Sequence, residues 1–150
     1  MEKLSRLKKF AVIALVVAFI GFLDATFLTA EHYLEGPIPC SIVKGCEIVT
    51  TSVYSVFIGL PIALYGALFY VAVIVLSILF LDRKKIMPLR LYAYLSITAF
   101  LISLGLLAVQ AFILHAYCLY CLASAFFSTV LFVNGMLVLK LIRSDEMELS

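Results

Sequence analysis

The sequence predicts an all-α integral membrane protein, a bundle of four transmembrane helices with a long external loop between the first and second helices. Of its 150 residues, 65% are hydrophobic and 13% are charged, whereas soluble domains are about half apolar and a quarter charged. The apolar residues form four runs, each long enough to cross a hydrocarbon core of roughly 30 Å as a helix. These runs occupy most of the chain, so we expect a single domain over residues 1–150.

The four predicted helices cover residues 10–29, 58–81, 91–114 and 118–142. Backbone N–H and C=O groups cannot remain unpaired in lipid, so runs of this length are expected to be helical. The first run follows several basic residues, as a signal peptide does. Its apolar core is longer than a secretory core of about 7–15 residues, so we expect a retained helix.

The basic residues predict how the bundle lies in the membrane. Ten of the 11 Lys and Arg residues fall on one side of a four-helix topology: Lys3, Arg6, Lys8, Lys9, Arg83, Lys84, Lys85, Arg90, Lys140 and Arg143. Only Lys44 falls on the other side. The positive-inside rule places the ten in the cytoplasm. We therefore expect a multi-pass protein of the cell membrane, surrounded by lipid, with cytoplasmic termini. The basic clusters are short and lie beside apolar runs, which argues against nucleic-acid binding.

The four cysteines all fall on the predicted extracytoplasmic side. Cys40 and Cys46 lie in the long loop, and Cys118 and Cys121 form a Cys-Leu-Tyr-Cys motif where the fourth helix begins. A helix N-terminus stabilises a thiolate and lowers the pKa of the first cysteine. The thiolate is the attacking species in disulfide exchange. The motif therefore favours redox chemistry.

Two other interpretations of the cysteines are structural disulfides and a metal site. A bridge between Cys118 and Cys121 closes a very short loop, and loop-closure stabilisation grows with loop length, so it would stabilise little. No His or carboxylate completes the usual zinc spacing, and we expect no metal. A non-catalytic membrane protein with disulfides or a metal remains the alternative from another class. Lability towards mild reductants distinguishes relay bridges from structural ones.

Several motifs in this order resemble the vitamin K epoxide reductase family, in particular its short prokaryotic members. The matching elements span nearly the whole chain: Phe27-Leu28-Thr29, His32-Tyr33, Cys40-x5-Cys46 with Gly45, Ser52, Tyr54-Ser55, Gly59-Leu60-Pro61, Gly66, Tyr70 and Cys118-x-x-Cys121.

The resemblance implies a relay of electrons through four catalytic cysteines. Cys40 and Cys46 would exchange with a thioredoxin-like protein outside the membrane, and the reduced loop would attack the Cys118–Cys121 disulfide at Cys118. Cys121 would pass electrons to a quinone of the ubiquinone or menaquinone type, with Ser52 beside it. We expect Cys46 to face the partner and Cys40 to face Cys118. The chain is expected to lack the fused thioredoxin-like domain of many prokaryotic members, so the partner would be a separate protein.

The implied reaction oxidises protein dithiols, reduces the quinone and supports disulfide formation. The alternative within enzymes is reduction of a vitamin K-type quinone or its epoxide by the same thiols. Vertebrate members have Tyr where this chain has Ala125, and their Asn on the second helix has no counterpart near Val75. Both departures weaken the case for epoxide reduction.

Four further polar residues receive interpretations from position alone. Asp24, inside the first run, is equally compatible with a place near the quinone and with interfacial packing. His32 is expected at the interface, and His115 in a solvated turn, with proton transfer to the nearby thiols as the alternative. Gln110 is expected to form a hydrogen bond between helices.

Overall fold

A computed structural model of the protein describes residues 1–34 and 46–148. Its elements in chain order are α1 (Glu2–Leu34), α2 (Cys46–Thr50), a 3-10 turn (Val53–Ser55), β1 (Val56–Phe57), β2 (Leu60–Pro61), α3 (Ile62–Arg83), α4 (Ile86–Ala108), a π-helical segment (Val109–Leu114) that continues α4, and α5 (Leu119–Glu148). Four helical segments are long and apolar enough to cross a membrane: α1, α3, α4 with its π-helical continuation, and α5. The predicted fold class is therefore confirmed. Cys40 lies outside the described residues.

The four long helices form a closed ring in cross-section. α1 packs against α3 and α5, and α4 packs against the same two helices. α1 contributes small residues to the centre at helical spacing, namely Ala11, Ala14, Ala18, Gly21 and Ala25. Small residues allow the close helix approach on which packing in membranes depends.

The second predicted helix begins later along the chain than expected. α3 begins at Ile62, not at residue 58, because β1 and β2 form a hairpin with Val56 opposite Pro61. At the hairpin tip, Ile58 and Gly59 have φ values of 53° and 79°. Such left-handed conformations interrupt a helix and are unusual for a β-branched residue. Because the hairpin is as apolar as the helix that follows, hydropathy does not separate the two.

Charged residues extend two helices beyond their predicted ends. α1 begins at Glu2, not at residue 10, and α5 continues to Glu148, not to residue 142. Lys3 Nζ lies 2.6 Å from Asp145 Oδ1 and 2.7 Å from Glu148 Oε2. Ion pairs between α1 and α5 stabilise these terminal turns.

Gly135 and Gly105 form a matched pair that tests the packing of α4 against α5. A Cβ at Gly135 would lie 2.5 Å from Ser96 Oγ and 3.2 Å from Ala93 Cα, whereas one at Gly105 would meet nothing within 4 Å. We expect Gly135→Ala to lower the free energy of unfolding by about 1–3 kcal/mol. Gly105→Ala should raise it by up to about 1 kcal/mol through helix propensity. Unfolding in detergent measures both, and equal effects would contradict the close approach.

Candidate functional site

A mostly apolar cavity of about 210 Å³ lies between the helices, near the turn that joins α4 to α5. Its walls come from all four long helices and from the 46–61 region. Most lining side chains are apolar, and the polar ones include His32, Ser52, Tyr70, Gln110, Cys121 and Ser124. A concave apolar site with a few convergent polar groups is typical of small-molecule binding.

The two cysteines of the Cys-x-x-Cys motif have different surroundings. Cys121 lines the cavity and is partly accessible. Cys118 does not line it; this residue is 0% exposed and packs in a cluster with Leu28, Val49 and Ala116. Val49 belongs to α2, the short helix that begins at Cys46. Both thiols are free in this structure.

A network of hydrogen bonds from Gln110 holds Cys118 in place. The backbone N–H of Cys118 donates to Gln110 Oε1 at 3.1 Å, and the N–H of Ala116 donates to the Gln110 carbonyl at 3.2 Å. His115, which lies between Gln110 and Ala116 in the chain, takes a left-handed conformation with φ of 49°. The Cys118 carbonyl then accepts from Leu122 N–H at 2.9 Å, as the residue before a helix does. Gln110 was expected to form a hydrogen bond between helices. Its side chain does so by accepting from the backbone at the start of α5.

The Cys121 thiol and the start of α5 together lower the pKa of Cys118. A hydrogen bond from the Cys121 thiol is the largest cause that lowers the pKa of Cys118, to about 7. The backbone N–H groups of Cys121 and Tyr120 also lower it, while burial and the Asp24 carboxylate oppose the shift. The lowered pKa raises the share of Cys118 present as thiolate, the species that reacts in disulfide exchange.

The pH dependence of Cys118 ionisation tests this explanation. In reduced protein with Cys40 and Cys46 replaced by Ala, we expect thiolate absorbance to rise with a midpoint near pH 7. Cys121→Ala removes the donor, which should raise the midpoint by about 1–2 units, since hydrogen bonds to charged groups contribute about 1.5–3 kcal/mol. Asp24→Asn should lower the midpoint, because it removes a nearby negative charge. Shifts in the same direction would contradict the assigned causes.

Ser52 lines the cavity together with its neighbours Tyr54 and Ser55. Ser52 Oγ donates to the Val49 carbonyl at 2.8 Å, and Ser55 Oγ donates to the Ser52 carbonyl at 2.7 Å. These bonds fold the chain after α2 back over the cavity. The Ser52 oxygen retains its capacity to accept a further hydrogen bond.

Two cavity residues were not assigned to the site from the sequence. Gln110 is 4% exposed, and its Oε1 is engaged by Cys118. No residue in the described part of the chain partners its Nε2 amide, which leaves a donor on a residue that lines the cavity. His32, which was expected at the interface, also lines the cavity. The sequence feature that could have identified Gln110 is a single amide side chain in an apolar helix, eight residues before the Cys-x-x-Cys motif.

Asp24 and His115 lie near the cysteines but outside the cavity wall. Asp24 Oδ2 is buried and has no hydrogen-bond partner within residues 1–34 and 46–148. The residue lies one helical turn before Leu28, which packs beside Cys118. His115 is exposed at the turn. Among the described residues, no group of three or more His, Cys, Asp or Glu side chains has the arrangement of a metal site.

A bundle of four membrane-spanning helices with a cysteine pair at the end of an apolar cavity defines a membrane thiol oxidoreductase. The model of the vitamin K epoxide reductase family matches residues 12–135, which is most of the 150-residue chain. The chain belongs to the vitamin K epoxide reductase family, as the motifs indicated. Membership makes it an oxidoreductase of the general quinone-linked thiol class. A search of curated proteins found no match.

Proposed function

We propose that this protein oxidises the dithiol of a separate thioredoxin-like protein outside the membrane and transfers the electrons to a quinone in the cavity, supporting disulfide formation. One observation carries the proposal: Cys118 is fully buried, while Cys121 lines the cavity. A protein partner cannot reach the Cys118 thiol from solvent without displacing the side chains packed around it, among them Val49 and Leu28. Electrons from a soluble protein therefore need an intermediate carrier, which the cysteines at 40 and 46 supply.

The relay proceeds by two disulfide exchanges, the second in two steps, followed by one oxidation. The partner dithiol reduces the Cys40–Cys46 disulfide and becomes a disulfide itself. A loop thiolate then attacks Cys118 in the Cys118–Cys121 disulfide and expels Cys121 as a thiolate. The second loop thiol displaces Cys118, which restores the loop disulfide and leaves Cys118 and Cys121 reduced. In the last reaction these two thiols give up two electrons and two protons and become a disulfide again.

The residues that line the cavity fit a quinone of the ubiquinone or menaquinone type. A quinone supplies an acceptor of two electrons and two protons. The apolar wall, including Phe69 and the ring of Tyr70, suits a flat ring, and the Gln110 Nε2 amide offers a donor for a carbonyl oxygen. Ala125 also lines the cavity. Since vertebrate members have Tyr at that position, its absence favours a quinone as acceptor over an epoxide.

The orientation in the membrane is part of the proposal. With both termini cytoplasmic, the cavity end and the cysteines face outward, where disulfides persist. The support is the ten-to-one distribution of Lys and Arg between the two ends of the bundle.

Ser52→Ala tests the assignment of the cavity as the quinone site. We expect turnover with quinone to fall about 10-fold, because the change removes a polar contact and loosens the segment over the cavity. Exchange between the loop and Cys118 should remain. Ser96→Ala is the matched control, since Ser96 Oγ makes the same type of bond, to the Ala93 carbonyl at 2.7 Å, away from the cavity. Unchanged turnover in Ser52→Ala, or an equal loss in Ser96→Ala, would contradict the contact.

A further inference from the structure

A second concave site lies at the opposite end of the bundle, where both chain termini meet. It is a groove of about 620 Å³ between α1 and α5. The two helices contribute residues at the same spacing of i, i+3, i+4 and i+7, which puts each set on one helix face. The lining residues are Arg6, Lys9, Phe10 and Ile13 from α1, and Leu137, Lys140, Leu141 and Ser144 from α5. We call this the terminal groove.

The terminal groove carries three cations and no acidic lining residue. The acids nearby on α5 are engaged elsewhere: Asp145 and Glu148 pair with Lys3, and Glu146 pairs with Arg90. Arg6 pairs with Glu2 on its own helix at 2.8 Å, in an exposed contact that leaves most of its charge available. Within the described ranges, Lys9 and Lys140 have no acidic partner. The groove therefore presents uncompensated positive charge from both helices.

One end of the terminal groove is basic and the other is apolar, which matches the headgroup and the acyl chains of an anionic phospholipid. The cations Lys9 and Lys140 lie nearer the chain ends, while Ile13 and Leu137 lie about one helical turn deeper. Ile13 and Leu137 are 46% and 45% exposed, and they belong to the membrane-spanning helices. Free phosphate or a soluble anion would use the cations but not this apolar floor.

We propose that the terminal groove binds one anionic phospholipid, whose phosphate contacts Arg6, Lys9 and Lys140 and whose acyl chain lies on Ile13 and Leu137. Basic pockets between transmembrane helices are suited to acidic headgroups. Because the cations come from two helices, one bound lipid links α1 to α5. The site is separate from the thiols and the cavity, so the inference does not depend on the proposed redox function.

Native mass spectrometry of the full chain in detergent, with phosphatidylglycerol or phosphatidylcholine added, tests the proposal. We expect the wild type to retain one phosphatidylglycerol and to lose phosphatidylcholine. Arg6→Gln/Lys9→Gln/Lys140→Gln should weaken retention on the order of 100-fold. The matched control, Arg83→Gln/Lys84→Gln/Lys85→Gln, removes the same charge from exposed residues at the end of α3 and in its connection to α4 and should retain the lipid. Equal loss in both variants, or in neither, would overturn the site.

A third variant separates a phospholipid from a simple anion. Leu137→Trp fills the apolar floor and leaves every charge in place, so we expect it to lose phosphatidylglycerol. Glycerol phosphate, which carries the headgroup chemistry without acyl chains, should not displace the lipid from the wild type. Retention by Leu137→Trp, or displacement by glycerol phosphate, would overturn the phospholipid assignment. Unfolding without added lipid should match the wild type in all variants, which excludes misfolding as the cause.

Discussion

Cys121→Ala is expected to abolish quinone reduction and to accumulate a disulfide between Cys118 and a cysteine of the loop. In the relay, a loop thiolate attacks Cys118 and Cys121 leaves. Without Cys121, the inner disulfide cannot form again, and Cys118 remains the only inner thiol available for exchange with the loop. As a thiolate, Cys118 attacks the loop disulfide, forms the mixed disulfide and releases the other loop cysteine as a thiolate. Peptide mapping without reduction identifies the trapped bridge directly.

Cys118→Ala is the matched control for this experiment. It should also abolish quinone reduction, but the bridge between the loop and Cys118 cannot form because the Cys118 sulfur is absent. The remaining thiol, Cys121, lies towards the cavity. The two variants thus lose the same activity and differ in the disulfide they accumulate. Two independent structural bridges would behave otherwise, since each variant would contain an undisturbed Cys40–Cys46 bond. Finding that bond intact in Cys121→Ala, with quinone reduction at the wild-type rate, would contradict the relay.

Ala125→Phe is expected to exclude the quinone from its site. Ala125 lies one helical turn after Cys121 and lines the cavity of about 210 Å³, of which a benzyl group would occupy a large share. We expect the KM for quinone to rise on the order of 10-fold or more, which corresponds to about 1.4 kcal/mol of binding. Exchange of the loop cysteines with a dithiol should continue, because it takes place outside the cavity.

Ala108→Phe makes the same substitution at a position that does not line the cavity. Ala108 is exposed at the end of α4, so the added ring should leave the KM unchanged. Steady-state kinetics with a soluble quinone compares the two variants. An equal KM in Ala125→Phe and the wild type would place quinone reduction outside this cavity.

The helical bundle could be predicted from the sequence because its cause is local and repeated. A run of apolar residues in lipid must satisfy its own backbone, and only a helix does so within one segment. The start of α3 could not be predicted in this way. Val56, Phe57 and Leu60 continue the apolar run, and the hairpin that they form depends on backbone conformations at Ile58 and Gly59. Hydropathy contains no information on those dihedral angles.

The site was predictable only where its chemistry appears as a motif. The start of α5 after Cys118 follows from the position of the Cys-x-x-Cys motif. The backbone contribution to the lowered pKa of Cys118 follows from helix geometry, whereas the larger contribution of the Cys121 thiol does not. The role of Gln110 was not predictable, because its bond to Cys118 spans a π-helical segment and a left-handed turn at His115. His32 reaches the cavity wall through the packing of α1, which the sequence pattern does not specify.

The central claim is that Cys118 and Cys121 pass electrons directly to a quinone. A single-turnover experiment tests it most directly: fully reduced protein is mixed anaerobically with a soluble quinone, and quinol and free thiols are measured together. With Cys40 and Cys46 replaced by Ala, the account predicts one quinol formed per protein and the loss of both remaining thiols as a Cys118–Cys121 disulfide. Persistence of both thiols in the presence of excess quinone, with no quinol formed, would contradict it.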